Sequence, residues 1–104
     1  MENLTLNVKK KWFDMMLSGE KKEEYRGIKP HWQDKIYNYL DMPEPTIKHF
    51  DTITILNGMK KNTPKIVFEC KGIIIGNAVP EWSDNWKGEV FVIKLGNIIE
   101  TKNI

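Results

Sequence analysis

Residues 4–26 read LTLNVKKKWFDMMLSGEKKEEYR. Leu4, Leu6 and Val8 alternate with Thr5, Asn7 and Lys9, the period-two pattern of a strand with one buried face. Trp12, Phe13, Met15, Met16 and Leu17 then crowd onto one side at helical spacing. Ser18-Gly19 follows them, and a glycine just past an apolar stripe is where helices commonly end. The spacing therefore predicts a short helix over Lys10–Leu17. The charged run EKKEEYR, Glu20–Arg26, is too short for another helix between Gly19 and Gly27, and reads as an extended strand.

Working outward, Pro30 is placed to open a second helix, because its missing N–H costs nothing at the first helical position. Trp32, Ile36, Tyr39 and Leu40 fall at i, i+4, i+7 and i+8 on one helical face, and Met42-Pro43-Glu44-Pro45 ends that run as a rigid connection. The remainder reads as strands. Phe50–Leu56 is rich in Thr and Ile and runs into an Asn57-Gly58 turn. Lys65–Ile75 places Ile66, Phe68 and Cys70 on one face and Val67, Glu69 and Lys71 on the other, with Gly72 marking a bulge. A loop over Gly76–Gly88 carries two tryptophans. Glu89–Leu95 is the final strand, with Ile98-Ile99 extending it after a bend at Gly96. The order β-α-β-α-β-β-β, helices early and strands late, argues for an α+β domain. A partly closed mixed β-barrel with two helices packed outside would bury all these faces.

The chain has 104 residues, of which 40% are hydrophobic and 29% charged, enough for one modest core in a single domain spanning residues 1–104. Sixteen Lys and Arg against 14 Asp and Glu give a net charge of +2, which excludes a polycationic tail and leaves nucleic-acid binding to local concentrations of charge. One cysteine, Cys70, excludes an internal disulfide and a cysteine-rich zinc site, and points to a reducing, cytoplasmic setting. No secretory leader is visible, and no apolar run approaches the roughly 20 residues of a bilayer span, so no membrane is expected. His31 and His49 lack ligand spacing. Neither a P-loop nor a dinucleotide fingerprint is present, and no metal or cofactor is expected. The oligomeric state is not legible.

Chemistry concentrates in two places. In Gly19–Arg26, alternation puts Lys22, Glu24 and Arg26 on one face and Lys21, Glu23 and Tyr25 on the other. The plain reading is a solvated edge strand whose charges discourage aggregation. The alternative is a polar site at a barrel mouth, where a lysine and a carboxylate held close bind a polar ligand or act as a base–acid pair. Glu69 lies in a mostly apolar strand, either on its wet face or paired in a cleft with Lys21 or Arg26. Among the tryptophans, Trp12 and Trp32 lie on helical stripes and read as core. Trp82 and Trp86 sit in a loop, where they either cap the barrel or stack on a base.

The block Trp12–Arg26, with its helix ending in Ser-Gly, Lys-rich turn and Glu-x-Arg strand, resembles the ASCH domain signature. Asp51-x-Ile53, Asn57-Gly58, the Ile66–Cys70 strand, Glu81-Trp82, Phe91-Val92-Ile93 and Lys29-Pro-x-Trp32 extend the similarity over nearly the whole chain, in the manner of small bacterial and phage members. The resemblance implies a PUA-like fold and binding of RNA or a nucleotide-like ligand in a cleft lined by the signature. It also implies a possible enzymatic branch, an amidohydrolase that removes acyl groups from the N4 of cytidine with a Lys, a Thr and a Glu. Those positions fall on Lys21, Glu24 and Glu69. Glu24 departs from the threonine, and a carboxylate does not replace a hydroxyl without a change of mechanism. A ribonuclease activity is attributed to a relative.

Three functions follow. As a binding module, Lys21, Lys22, Arg26 and Lys29 would meet phosphate or carbonyl groups while Tyr25, Trp82 or Trp86 stacks on a base. As a hydrolase, Lys21 would be the base, Glu69 its orienting partner and Glu24 a second carboxylate. As a protein-interaction domain, the EKKEEYR edge would pair with a partner strand.

Overall fold

Strand β1 (Asn3–Asn7) alternates as its sequence predicts, with Leu4 and Leu6 turned into the core. The computed structural model describes residues 2–41, 43–84 and 86–104. Helix α1 (Lys10–Leu17) has the predicted bounds and buries Trp12, Phe13 and Met16. It stops at Ser18, whose amide reaches the Asp14 carbonyl, and the chain then reverses through Gly19 at φ +87°. An L-side chain is strained in that left-handed region. Strand β2 (Glu23–Arg26) follows.

Helix α2 (Pro30–Ile36) begins at the proline as expected but ends earlier than its apolar stripe predicts. Ile36 is fully buried, whereas Tyr37 turns extended and β3 (Tyr37–Asn38) pairs antiparallel with β4 (Thr46–Ile47). The Ile36 carbonyl accepts the amide of Lys48 in place of a further helical bond. Tyr37 is thereby set edge-on against Phe91 at 5.3 Å between centroids, a contact that a continued helix would forgo. Leu40, expected on the buried face, is 93% exposed in a single 3-10 turn. Met42, read as part of the stop signal, lies outside the described residues.

Strands β5 (Thr52–Leu56), β6 (Lys65–Gly76) and β7 (Val90–Lys102) complete the main sheet. Its order is β1-β5-β6-β7-β2, with β1 parallel to β5 and every other pair antiparallel. The register of β6 against β7 shifts between Phe68 and Cys70 and again between Cys70 and Gly72, which has φ +121°, so the bulge predicted at Gly72 is present. β7 runs through Gly96 as one strand rather than breaking there. The result is an α+β domain in which a curled half-barrel sheet is packed with two helices. Among the described residues, no helix is long and apolar enough to cross a membrane.

The main core lies inside the curl, where Leu6, Phe13, Met16, Ile53, Ile66 and Phe91 meet. A second, smaller cluster of Tyr25, Val90 and Val92 is covered by Ala78, Val79 and Trp82. Four successive residues, Val90–Ile93, are therefore buried, half of them by each cluster. The loop after β6 is thus a structural cover.

Replacing Ile53, fully buried, with alanine is expected to cost about 2–5 kcal/mol in urea unfolding. Leu40→Ala should stay within about 0.5 kcal/mol, because that side chain is in solvent.

Candidate functional site

The half-barrel has two free edges, β1 and β2, and the site lies where they approach each other. Arg26, at the end of β2, donates from Nη2 to the Asn7 carbonyl of β1 at 2.8 Å. Its Nη1 donates to the Tyr25 carbonyl and to Glu24 Oε2, both at 2.7 Å. The guanidinium carbon lies 5.2 Å from the Trp32 ring centroid, so the planar cation is held both at its rim and on its face.

Glu24 is 5% exposed and carries two cations. Oε2 takes Arg26, and Oε1 lies 3.4 Å from Lys21 Nζ. Lys21 is 1% exposed. Its ammonium donates to the Trp82 carbonyl and sits between two aromatic faces, 4.5 Å from the Trp12 centroid and 4.9 Å from Tyr25. Strict alternation had separated Lys21 from Glu24. They meet because β2 begins only at Glu23, so Lys21 and Lys22 belong to the turn leaving α1 and escape the strand period. The turn is held by the Lys21 amide on the Met15 carbonyl at 2.9 Å. β2 is an edge strand, as the plain reading had it, but its charges are largely withdrawn from solvent.

Burial pushes the Lys21 amine below its ordinary 10.5, against the opposing pull of Glu24. Tyr25 moves the other way. Its buried hydroxyl donates to Glu23 Oε1 at 2.7 Å and accepts the Val79 amide at 3.1 Å, and burial raises its pKa far above the usual phenol range. Lys21 and Tyr25 thus anchor the loop after β6 at Trp82 and Val79.

Above this network lies an open cavity of about 320 Å³. Its floor is Glu24, Tyr25 and Arg26, and one wall is Asn7, Val8 and Lys9 at the end of β1. Trp12 stands beside them, and the loop supplies Trp82, Ser83, Asp84 and Trp86. Asp84 Oδ2 accepts from Lys9 at 3.0 Å and from the Trp12 indole at 3.4 Å. The hydrogen bond from Lys9 is the main cause that holds the Asp84 carboxyl below the usual range. The volume is within the small-ligand class, and the lining combines aromatic faces with a few fixed polar groups.

The structure brings Lys21, Glu24, Tyr25, Arg26, Trp82 and Trp86 together and leaves three expected site residues elsewhere. Glu69 is exposed on β6, opposite Thr52, and lines neither this cavity nor the one beside Lys22. Its expected partners, Lys21 and Arg26, both pair with Glu24 instead. Lys29 is exposed just before α2, outside the cavity lining. Lys22 lines a separate cavity. Six lining residues were missed: Asn7, Val8, Lys9, Ser83, Asp84 and the cleft-facing side of Trp12, which is core and wall at once. Asp84 had a legible signal, an acid two residues from Trp82 in a loop. Among the described residues, no three His, Cys, Asp or Glu side chains gather as a metal site requires.

No family model matches the chain, and neither the curated proteins nor the solved structures give a significant match.

Removing Glu24 leaves Lys21 buried without its carboxylate, so Glu24→Ala is expected to cost about 3–5 kcal/mol in denaturant unfolding. A second prediction concerns pH. The folded chain releases the Lys21 proton at lower pH than the unfolded chain, so this residue makes stability rise from its depressed folded value up to 10.5. The stability of Lys21→Met minus that of the parent protein should therefore fall as the pH rises toward 10.5. A gap that stays constant across that range contradicts the assignment.

Proposed function

We propose that this chain is an ASCH-type domain of PUA-like fold that binds RNA, or a nucleotide-like ligand, in the cleft between β1 and β2. The observation that carries this reading is the pairing of three tryptophans with a floor on which Arg26 and Glu24 neutralise each other, in one open cavity. Flat aromatic faces accept any base by stacking, and Lys9 and Arg26 stand where phosphate or carbonyl oxygens would approach. Glu24 and Arg26 occupy each other and fix the shape of the floor. Asp84 retains a carboxylate oxygen, Oδ1, with no hydrogen-bond partner among the described residues, and would accept an N–H from a base edge. A cytoplasmic setting goes with this reading.

A second reading has one observation in its favour. The desolvated amine of Lys21 is the kind of group that serves as a base, as an amidohydrolase acting on N4-acylated cytidine would need. Against it, Lys21 Nζ is engaged by Trp82 and Glu24 and does not line the cavity, and Glu69 is not beside it. Incubation with N4-acetylcytidine, followed by proton NMR, separates the two. The binding reading predicts no free acetate, whereas acetate that disappears with Lys21→Ala establishes the hydrolase.

Binding itself is tested by fluorescence titration with a panel of short single-stranded RNAs. Trp82→Ala is expected to weaken binding by about 1–3 kcal/mol, the contribution of one stacked base. Trp82→Ala and Arg26→Ala proteins that bind the panel like the parent overturn the proposal.

A further inference from the structure

A second cavity, of about 270 Å³, opens on the other side of Lys21. Its polar lining is Lys21, Lys22, Lys71 and Asn97, and its apolar walls include Phe68 and Leu95. No carboxylate lines it. Lys22 and Lys71 are exposed, and neither makes an ion pair with a carboxylate among the described residues. This sets them apart from Lys9, Lys21 and Arg26 around the first cavity, each of which already holds an acid.

Two glycines open the cavity to an approaching ligand. Gly19 turns at φ +87° with empty space where a side chain would stand. At Gly96 a Cβ would lie 3.0 Å from that of Glu69 and 3.3 Å from the Lys71 stem, so the missing side chain leaves room for both beside β7. Lys71 itself precedes Gly72, where the bulge alters the pairing with β7. The Lys22 carbonyl accepts the Leu95 amide at 3.0 Å, tying the lysine's backbone to the same strand. Two unpaired ammonium groups, an amide side chain and no acid make a seat for an anion.

The two cavities share one partition. Lys21 lines the second, while its ammonium meets Glu24 and the carbonyl of Trp82, both of which line the first. Lys22 and Lys71 thus stand across Lys21 from the first cavity. We infer that the ligand is a single-stranded RNA rather than a free nucleotide, and that the backbone phosphate linking the bound nucleotide to the next one, a group that a 5′-monophosphate lacks, sits between Lys22 and Lys71. This rests on the nucleotide-binding reading of the first cavity and adds a second subsite to it.

The test compares a nucleoside 5′-monophosphate, a dinucleotide and a hexanucleotide of the same base by calorimetry, using the intact chain. The hexanucleotide is expected to bind at least about tenfold more tightly than the mononucleotide at low salt. Lys22→Ala with Lys71→Ala should abolish that difference and leave mononucleotide affinity unchanged. The double variant should also reduce the slope of log affinity against log salt by about 0.7, as the loss of one neutralised phosphate requires. Lys60→Ala with Lys61→Ala removes the same charge from a distant turn and should leave the difference in place. Equal affinities for mononucleotide and hexanucleotide overturn the inference while keeping the first cavity as a nucleotide site. So does a Lys60/Lys61 variant that behaves like the Lys22/Lys71 variant, since net charge would then be the cause. No binding of any of the three ligands overturns both readings.

Discussion

Among the described residues, the Arg26 guanidinium makes the one hydrogen bond that joins the two edges of the half-barrel, and the shape of the cavity depends on it. A five-stranded sheet that curls without closing leaves two rows of unpaired backbone groups facing each other. Here β1 and β2 are those rows, and Arg26 joins them through the Asn7 carbonyl. A carbonyl-to-guanidinium bridge spans a gap that a direct strand ladder would have closed. The gap that remains is the cavity, with Asn7–Lys9 on one side and Glu24–Arg26 on the other. A fully closed barrel of these strands would have no such opening.

From Arg26 the dependence runs inward. Its charge needs a counterion in a place nearly out of water, and Glu24 supplies it. Glu24 also faces Lys21, so one carboxylate serves two cations. Removing three charges from water costs several kcal/mol per ion before their attraction is counted. Such a cluster is a poor way to gain stability, and well-packed apolar side chains would do as well or better. Its place at the floor of an aromatic cavity, rather than in the core, is what marks this cavity as the candidate site. Lys21 transmits the arrangement to the loop after β6 by donating to Trp82, and Tyr25 does the same at Val79. The tryptophans that line the cavity are therefore positioned by the same network that forms its floor.

Much of this was legible in residues 4–26 alone. The two periodicities located β1 and α1, and Gly19 marked the reversal at its observed place. Gly72 likewise signalled the bulge. Three features were not legible, each for a physical reason. The stripe from Trp32 to Leu40 was a coincidence of spacing, overridden when Tyr37 paired with Ile47 and packed on Phe91. The meeting of Lys21 with Glu24 depended on a strand that starts three residues later than charge patterning suggests. Glu69 stayed open between the wet face and a cleft because its neighbours are apolar, and it lies on the wet face. The cover over the second face did leave a trace. Val90–Ile93 is an unbroken apolar run, and such a run requires burial on both sides.

A ligand bound in the seam between β1 and β2 would lie against Trp12, Trp82 and Trp86. Proton–nitrogen correlation spectra recorded during titration with a short single-stranded RNA test this placement most directly, because four indole N–H signals report from four known places. The account predicts that the Trp12, Trp82 and Trp86 indoles move together with the backbone amides of Glu24, Tyr25 and Arg26. Signals from the Lys60–Pro64 turn should stay still. Shifts confined to that turn, or a saturating titration that leaves all three cleft indoles unmoved, would contradict it.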